Sequence, residues 1–139
     1  MMSRFLVLTA LVGVMSAQPP DRSVWDGVYT SGQAKRGEAL YASNCASCHG
    51  SALGGGESAP PLTGGEFMAN WSGLTVGDLF DRVRTTMPAD RPGSLSREHT
   101  ADILAFMLSV GQFPTGQTEL AHQTEVLKQI RIEAEKPHK

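Results

Sequence analysis

The chain has 139 residues, of which 40% are hydrophobic and 19% charged, and its formal net charge is −2. This length predicts one domain with a buried core and no second catalytic domain. Charges of both signs are scattered along the sequence, so the composition does not favour a nucleic-acid-binding protein.

The first 17 residues are typical of a secretory signal peptide. Arg4 precedes an apolar run from Phe5 to Met15 that is too short to span a bilayer comfortably, and small residues follow it. Cleavage after Ala17 and cleavage after Ser16 are the two alternatives for removal of this peptide. An uncleaved anchor is the alternative, and only in that case do we expect contact with a membrane. Export predicts a periplasmic protein in an oxidising compartment, where cysteines are normally used in covalent chemistry.

The mature chain is predicted to begin with a strap, residues 18–31, that shows no periodicity. A first helix is predicted from about Gln33 to Asn44, with Thr30 or Ser31 as its cap. One face of this helix carries Gly37, Leu40, Tyr41 and Asn44. The Gly-, Pro- and Ser-rich stretch from Ser51 to Gly65 is predicted to be a loop.

A second helix is predicted after Thr75, which forms a capping-box pattern with Asp78. Its apolar positions follow helical spacing at Val76, Leu79, Phe80 and Val83. We expect this helix to end near Thr86, because Pro88 disfavours helical backbone at Met87.

A third helix is predicted to begin after Ser96 and to end at Gly111. Its wide apolar face indicates a largely buried helix and consists of Ile103, Leu104, Phe106, Met107, Leu108 and Val110. The tail, residues 114–139, is predicted to be a short helix or an extended segment that packs on the domain or extends from it. His122 and His138 in this polar tail are expected to be solvated.

Both cysteines of the chain lie in the stretch SNCASCHG, as Cys45 and Cys48, and His49 follows directly. A redox-active disulfide normally opens a helix within a βαβ pattern, which the sequence lacks. A zinc site needs four ligands, and no second pair of cysteines or closely spaced histidines completes one. Cysteines that merely fill a core would be unusual in an exported protein. The spacing C-x-x-C-H favours covalent attachment of haem through two thioethers, with His49 as proximal iron ligand.

With this motif and the helices around it, residues 37–112 resemble a monohaem class I cytochrome c. The resemblance implies an all-α fold in which three main helices wrap around one covalently attached haem c, within a domain of residues 32–113. It also implies that the first helix crosses the last one, with Gly37 and Tyr41 meeting Ile103 and Phe106.

The resemblance extends to the residues around the cofactor. The family's Pro-x-Leu-x-Gly loop corresponds to residues 60–64, which implies that Leu62 contributes to the haem site and that the Pro60 carbonyl faces the Nδ1–H group of His49. Trp71 and Arg91 are candidates for binding the haem propionates. Packing for Trp71 and a solvated charge for Arg91 are the alternatives.

A methionine is the predicted sixth ligand of the iron. Met87 is favoured because it lies just beyond a helix end, before Pro88, and matches the Met-Pro ligand of the family. Met107 lies in the buried stripe of the last helix and is expected to be core, and Met68 is the next candidate. His99 would give bis-histidine ligation instead.

These assignments predict a periplasmic single-electron carrier rather than an enzyme, because His/Met ligation leaves no open position for a small-molecule substrate. Residues 59–96 further resemble the small cytochromes that accompany PQQ-dependent alcohol and sugar dehydrogenases. This resemblance implies a dehydrogenase as electron donor and a terminal oxidase as acceptor. One alternative is a small haem enzyme or a gas or redox sensor whose sixth ligand is displaceable. Another is a permanently docked subunit of an oxidoreductase complex.

Overall fold

The computed structural model describes residues 19–138, so the predicted signal peptide, residues 1–17, lies outside the described residues. In chain order the elements are strand β1 (Arg22–Ser23), a 3-10 turn (Val24–Asp26), helices α1 (Ser31–Asn44), α2 (Ala46–His49), α3 (Gly64–Trp71), α4 (Val76–Thr86), α5 (Arg97–Val110) and α6 (Thr124–Leu127), and strand β2 (Ile130–Arg131). The predicted all-α fold is confirmed, and α1, α4 and α5 are its three main helices. Within residues 19–138 there is no helix with the length and apolarity needed to cross a membrane.

Helices α4 and α5 begin where the sequence predicts, and α1 begins at Ser31, two residues before the predicted Gln33. Polar side chains bind the N–H groups of the first turn in all three helices. The side chain of Thr30 accepts such a hydrogen bond at α1, and Ser96 does the same at α5. At α4, Thr75 and Asp78 form the predicted capping box. The same helix ends one residue before Met87, whose backbone is extended because a proline follows it.

Helices α1 and α5 cross at Gly37. A Cβ atom there would overlap the backbone carbonyl of Asp102, so only glycine allows this close approach. Beside the crossing, the ring centroids of Tyr41 and Phe106 lie 5.4 Å apart, and Ile103 is buried. The close α1–α5 crossing implied by the family resemblance is therefore present, with the backbone of Asp102 as the direct neighbour of Gly37.

Helix α3 differs from the prediction. The sequence predicts loop from Ser51 to Gly65, whereas α3 begins at Gly64 and runs to Trp71. Two adjacent glycines are poor helix formers, so intrinsic propensity does not explain this helix. Phe67 is buried and its ring centroid lies 6.3 Å from that of Trp71. Burial of this aromatic side chain stabilises a helix that is too short to form alone.

The tail lies along the helices and is joined to the strap. Strands β1 and β2 pair in parallel, and α6 packs against α4. The buried side-chain amide of Gln33 donates to the carbonyl of Leu120 at 3.0 Å and accepts from its N–H at 2.7 Å. The indole N–H of Trp25 donates to the carbonyl of Glu133 at 3.0 Å. The described parts of the strap and the tail, residues 19–31 and 114–138, therefore pack on the helices and on each other.

Candidate haem-attachment site

Helix α1 leads directly into the cysteine motif. Cys45 follows the last residue of α1, and the next four residues form the short helix α2. The N–H of His49 donates to the carbonyl of Cys45 at 2.9 Å, so one helical turn separates these two residues. Cys45 is half-buried, Cys48 is exposed and His49 is buried. The motif thus brings two unpaired thiols and one buried imidazole together.

The imidazole of His49 is oriented by the loop that follows it. Its Nδ1 atom lies 2.8 Å from the carbonyl oxygen of Pro60, the hydrogen bond that the family resemblance implies. Because a carbonyl oxygen only accepts, Nδ1 carries the proton of this bond. Nε2 is therefore the ring nitrogen that remains for a metal, and the bond fixes the orientation in which it is presented.

The environment of the Cys45 thiol differs from that of a redox-active nucleophile. Burial, followed by the charge of neighbouring Cys48, raises the pKa of Cys45 to about 11. Reactive cysteines of C-x-x-C oxidoreductases have lowered pKa values instead. The environment of Cys45 therefore disfavours the disulfide interpretation of the motif.

Two further contacts hold the residues after His49. The buried hydroxyl of Tyr41 donates to the carbonyl of Gly50 at 2.7 Å, and the N–H of Leu62 donates to the carbonyl of Leu53 at 2.8 Å. The sequence pattern predicts Tyr41 only at the helix crossing and does not predict the hydrogen bond of its hydroxyl group. The sequence does contain a signal for this bond, because a tyrosine at a buried position needs a hydrogen-bond partner for its hydroxyl group.

An apolar cavity of about 300 Å³ lies beside this loop. Leu62 contributes to its wall, as do Phe67 and both alternative methionines, Met68 and Met107. His49 and Met87 are not among the residues that line it. Leu62 therefore borders an apolar space, and its contact with the haem stays a prediction.

Arg91, four residues after Met87, contacts the residue before the cysteine motif. Met87 is half-buried, and its backbone has φ −118° and ψ 154°. Arg91 donates from Nη2 to Oδ1 of Asn44 at 3.5 Å, and its Nε atom lies 3.5 Å from a carboxylate oxygen of Asp90. Asn44 directly precedes Cys45, so Arg91 ties the segment that carries Met87 to the start of the motif. The propionate contact of Arg91 stays a prediction.

The other candidate residues of the site lie on helices α3 and α5 and in the tail. Trp71 ends α3, packs against Phe67 and is half-buried, and its propionate contact also stays a prediction. His99 is exposed in the first turn of α5. His122 lies 3.6 Å from Glu98 in an exposed pair. Among residues 19–138, no three His, Cys, Asp or Glu side chains form a group that could hold a metal ion.

These features fit a covalently attached haem. Two unpaired thiols at the required spacing stand next to a buried imidazole whose Nε2 is free to ligate iron. The axial ligand of a haem needs one fixed ring orientation, and the Pro60 carbonyl supplies it. The residues present therefore suit haem c: Cys45 and Cys48 would form the thioethers, and His49 would bind the iron.

Comparison with known proteins gives the same assignment. A family model described as "Cytochrome C oxidase, cbb3-type, subunit III" matches residues 32–107, more than half of the chain. Among solved structures, the chain is similar to one from the sulfane dehydrogenase SoxCD of Paracoccus pantotrophus. The sequences are 28% identical, the match covers 88% of this chain and 68% of that one, and the TM-score is 0.54. No curated protein matches the sequence.

The fold, the cysteine motif and the family match agree on one cofactor and one kind of chemistry. The C-x-x-C-H motif and the Pro60 carbonyl lie within the matched residues. The chain belongs to the cytochrome c domain family that this model describes, and it is a monohaem class I cytochrome c that binds haem c covalently for electron transfer.

Proposed function

We propose that this protein is a periplasmic single-electron carrier whose haem iron is bound by His49 and Met87. The observation that carries the proposal is the 2.8 Å hydrogen bond between Nδ1 of His49 and the Pro60 carbonyl, because it leaves Nε2 as the ligand atom. Residues 1–17, with their signal-peptide pattern, support the periplasmic location.

Met87 is the sixth ligand that the geometry supports best. Arg91 holds the segment after Met87 against Asn44, next to the cysteine motif. The competing methionines, Met68 and Met107, both face the apolar cavity, whose wall does not include His49. Met87 follows the end of α4 and has extended backbone, so it is not part of that helix.

Haem c supplies a reversible Fe(III)/Fe(II) couple when bound. A thioether is a soft donor that stabilises ferrous iron and raises the reduction potential. If His49 and Met87 both held the iron, no position would be left for a substrate. The residues therefore favour electron transfer over catalysis.

A dehydrogenase is the proposed electron donor, and a terminal oxidase the proposed acceptor. Similarity to a chain of the sulfane dehydrogenase SoxCD supports a dehydrogenase partner in general terms. Resemblance of residues 59–96 to cytochromes that accompany PQQ-dependent dehydrogenases makes such an enzyme the first to test. Size-exclusion chromatography of the protein from its native source separates a free carrier from a docked subunit, because a subunit co-elutes with its enzyme.

Replacement of Met87 tests the ligation. In Met87→Ala, the far-red methionine-to-iron band of the ferric protein should disappear, the potential should fall, and the ferrous protein should bind carbon monoxide. Met68→Ala is the matched control, since Met68 is also half-buried and should leave all three properties unchanged. If Met87→Ala keeps the band and the potential while Met68→Ala loses them, Met68 is the ligand.

A further inference from the structure

The loop between His49 and Leu62 is closed by its own backbone. The N–H of Gly55 donates to the carbonyl of His49 at 2.7 Å, and the N–H of Gly56 donates to the carbonyl of Ala59 at 2.9 Å. Leu62 is tied to Leu53 in the same way, at 2.8 Å. The loop therefore folds back on the histidine, and Gly55 lies at its centre.

Gly55 lies next to both residues of the hydrogen bond that orients His49. Its N–H binds the backbone carbonyl of His49, and the Pro60–Pro61 peptide occupies the space that a side chain at position 55 would need. A Cβ atom at this position would lie 2.7 Å from the nitrogen of Pro61 and 2.9 Å from the carbonyl carbon of Pro60. Gly55 also has φ +79°, which side chains other than glycine rarely adopt.

We propose that Gly55 is a positioning residue for the proximal histidine, which it serves by allowing the Pro60 carbonyl to reach Nδ1 of His49. A side chain at position 55 must displace the Pro60–Pro61 peptide or give up the bond to the His49 carbonyl. The peptide cannot turn away freely, because the proline rings fix φ at both positions. Either movement lengthens the hydrogen bond between Nδ1 and Pro60. This inference rests on the proposed role of His49 as iron ligand.

The proposal has a defined electronic consequence. A strong hydrogen bond from Nδ1–H makes the imidazole a better donor to the iron, which favours the ferric state. Loss of this bond should therefore raise the reduction potential. The shift is opposite in sign to the one expected for Met87→Ala, so the two defects can be told apart.

The glycines of the chain provide matched controls for the test. Gly54 is the direct neighbour of Gly55, has no positive φ, and would meet nothing within 4 Å if it gained a Cβ atom. Gly73 has φ +91° but also has open space around it. Gly54→Ala thus lacks both strain and steric overlap, whereas Gly73→Ala has strain alone. Gly55→Ala combines the two.

The experiment compares these three variants as haem-loaded proteins. NMR of the ring nitrogens of His49 reports solvent exchange of the Nδ1 proton, and a redox titration gives the potential. We expect about tenfold or faster proton exchange in Gly55→Ala, corresponding to loss of one hydrogen bond, together with a raised potential and a retained far-red band. Gly54→Ala and Gly73→Ala should match the wild type in all three readouts.

Three outcomes would overturn the proposal. In the first, Gly55→Ala leaves the exchange rate and the potential unchanged. In the second, Gly73→Ala shifts them equally, which assigns the effect to strain alone. In the third, Gly55→Ala and Gly73→Ala both load haem poorly, which refutes the proposal. If Gly55→Ala loads haem poorly, Gly73→Ala must therefore load haem normally.

The wild-type spectrum separates failure of this inference from failure of the proposed function. If the His49 ring resonances of the wild type show no shift by the iron, His49 is not the ligand and the proposed function fails. If they are shifted but Gly55→Ala does not change them, only the role of Gly55 fails.

Discussion

Replacement of Gly37 by alanine tests the helix crossing on which the fold depends. In the structure, a Cβ atom at Gly37 would overlap the carbonyl oxygen of Asp102 and would lie 2.5 Å from its carbonyl carbon and 3.0 Å from the Cβ of Phe106. The carbonyl of Asp102 is backbone and cannot rotate away. Ordinary contacts of this kind begin at 3.4 Å, so α1 and α5 must separate by more than about 1 Å.

This geometry sets the size of the effect. Overpacking a well-packed core costs about 1–3 kcal/mol, and a clash with backbone belongs at the upper end of that range. Alanine gains up to about 1 kcal/mol over glycine in helix propensity, which offsets part of the cost. We expect a net loss of about 2 kcal/mol for Gly37→Ala. Gly32, in the first turn of the same helix, would meet nothing within 4 Å, so Gly32→Ala should be neutral or stabilising by at most about 1 kcal/mol.

Guanidinium unfolding of the haem-loaded variants, followed by far-UV circular dichroism, measures the difference. The free energy of unfolding should be about 2–3 kcal/mol lower for Gly37→Ala than for Gly32→Ala. Equal stabilities, or a more stable Gly37→Ala protein, would refute the close crossing.

Two further predictions use the same unfolding assay or a pH titration. Gln33→Ala should lower the free energy of unfolding by about 2 kcal/mol, because both backbone groups of Leu120 lose their buried partner. Gln123 is exposed, so the control Gln123→Ala should change the free energy of unfolding by less than about 0.5 kcal/mol. Burial raises the pKa of Tyr29, and burial is also the main reason that the pKa of Tyr41 is raised to about 12. Since the unfolded chain loses these protons near pH 10.0, the stability contributed by both phenols should be complete below pH 10 and decline as pH rises toward 12. Phenolate absorbance of the native protein should therefore stay low at pH 10, and full ionisation there would contradict the burial of both rings.

The main helices could be predicted because their signals are local. Thr75 and Asp78 define the start of α4 within four residues, and Pro88 defines its end. Helix α3 was missed because its stability comes from burial of Phe67, which no local pattern shows. The bond between Gln33 and Leu120 joins residues 87 positions apart and could not be read from periodicity.

The residues of the candidate site also differ in whether the sequence alone predicts them. The thiols and His49 follow from their spacing, and the Pro60 carbonyl follows from the family resemblance. The position of Gly55 could not be anticipated, because three consecutive glycines look alike in the sequence. Only the folded loop shows that Gly55 faces the Pro60–Pro61 peptide while Gly54 faces open space.

The most direct test of the carrier assignment is the absorption spectrum of the ferrous wild-type protein at neutral pH, recorded with and without carbon monoxide. If His49 and Met87 fill both axial positions, the spectrum should not change when the gas is added. A carbon monoxide complex that forms readily would contradict the account, because the iron would then have an open or displaceable position, as a haem enzyme or gas sensor requires.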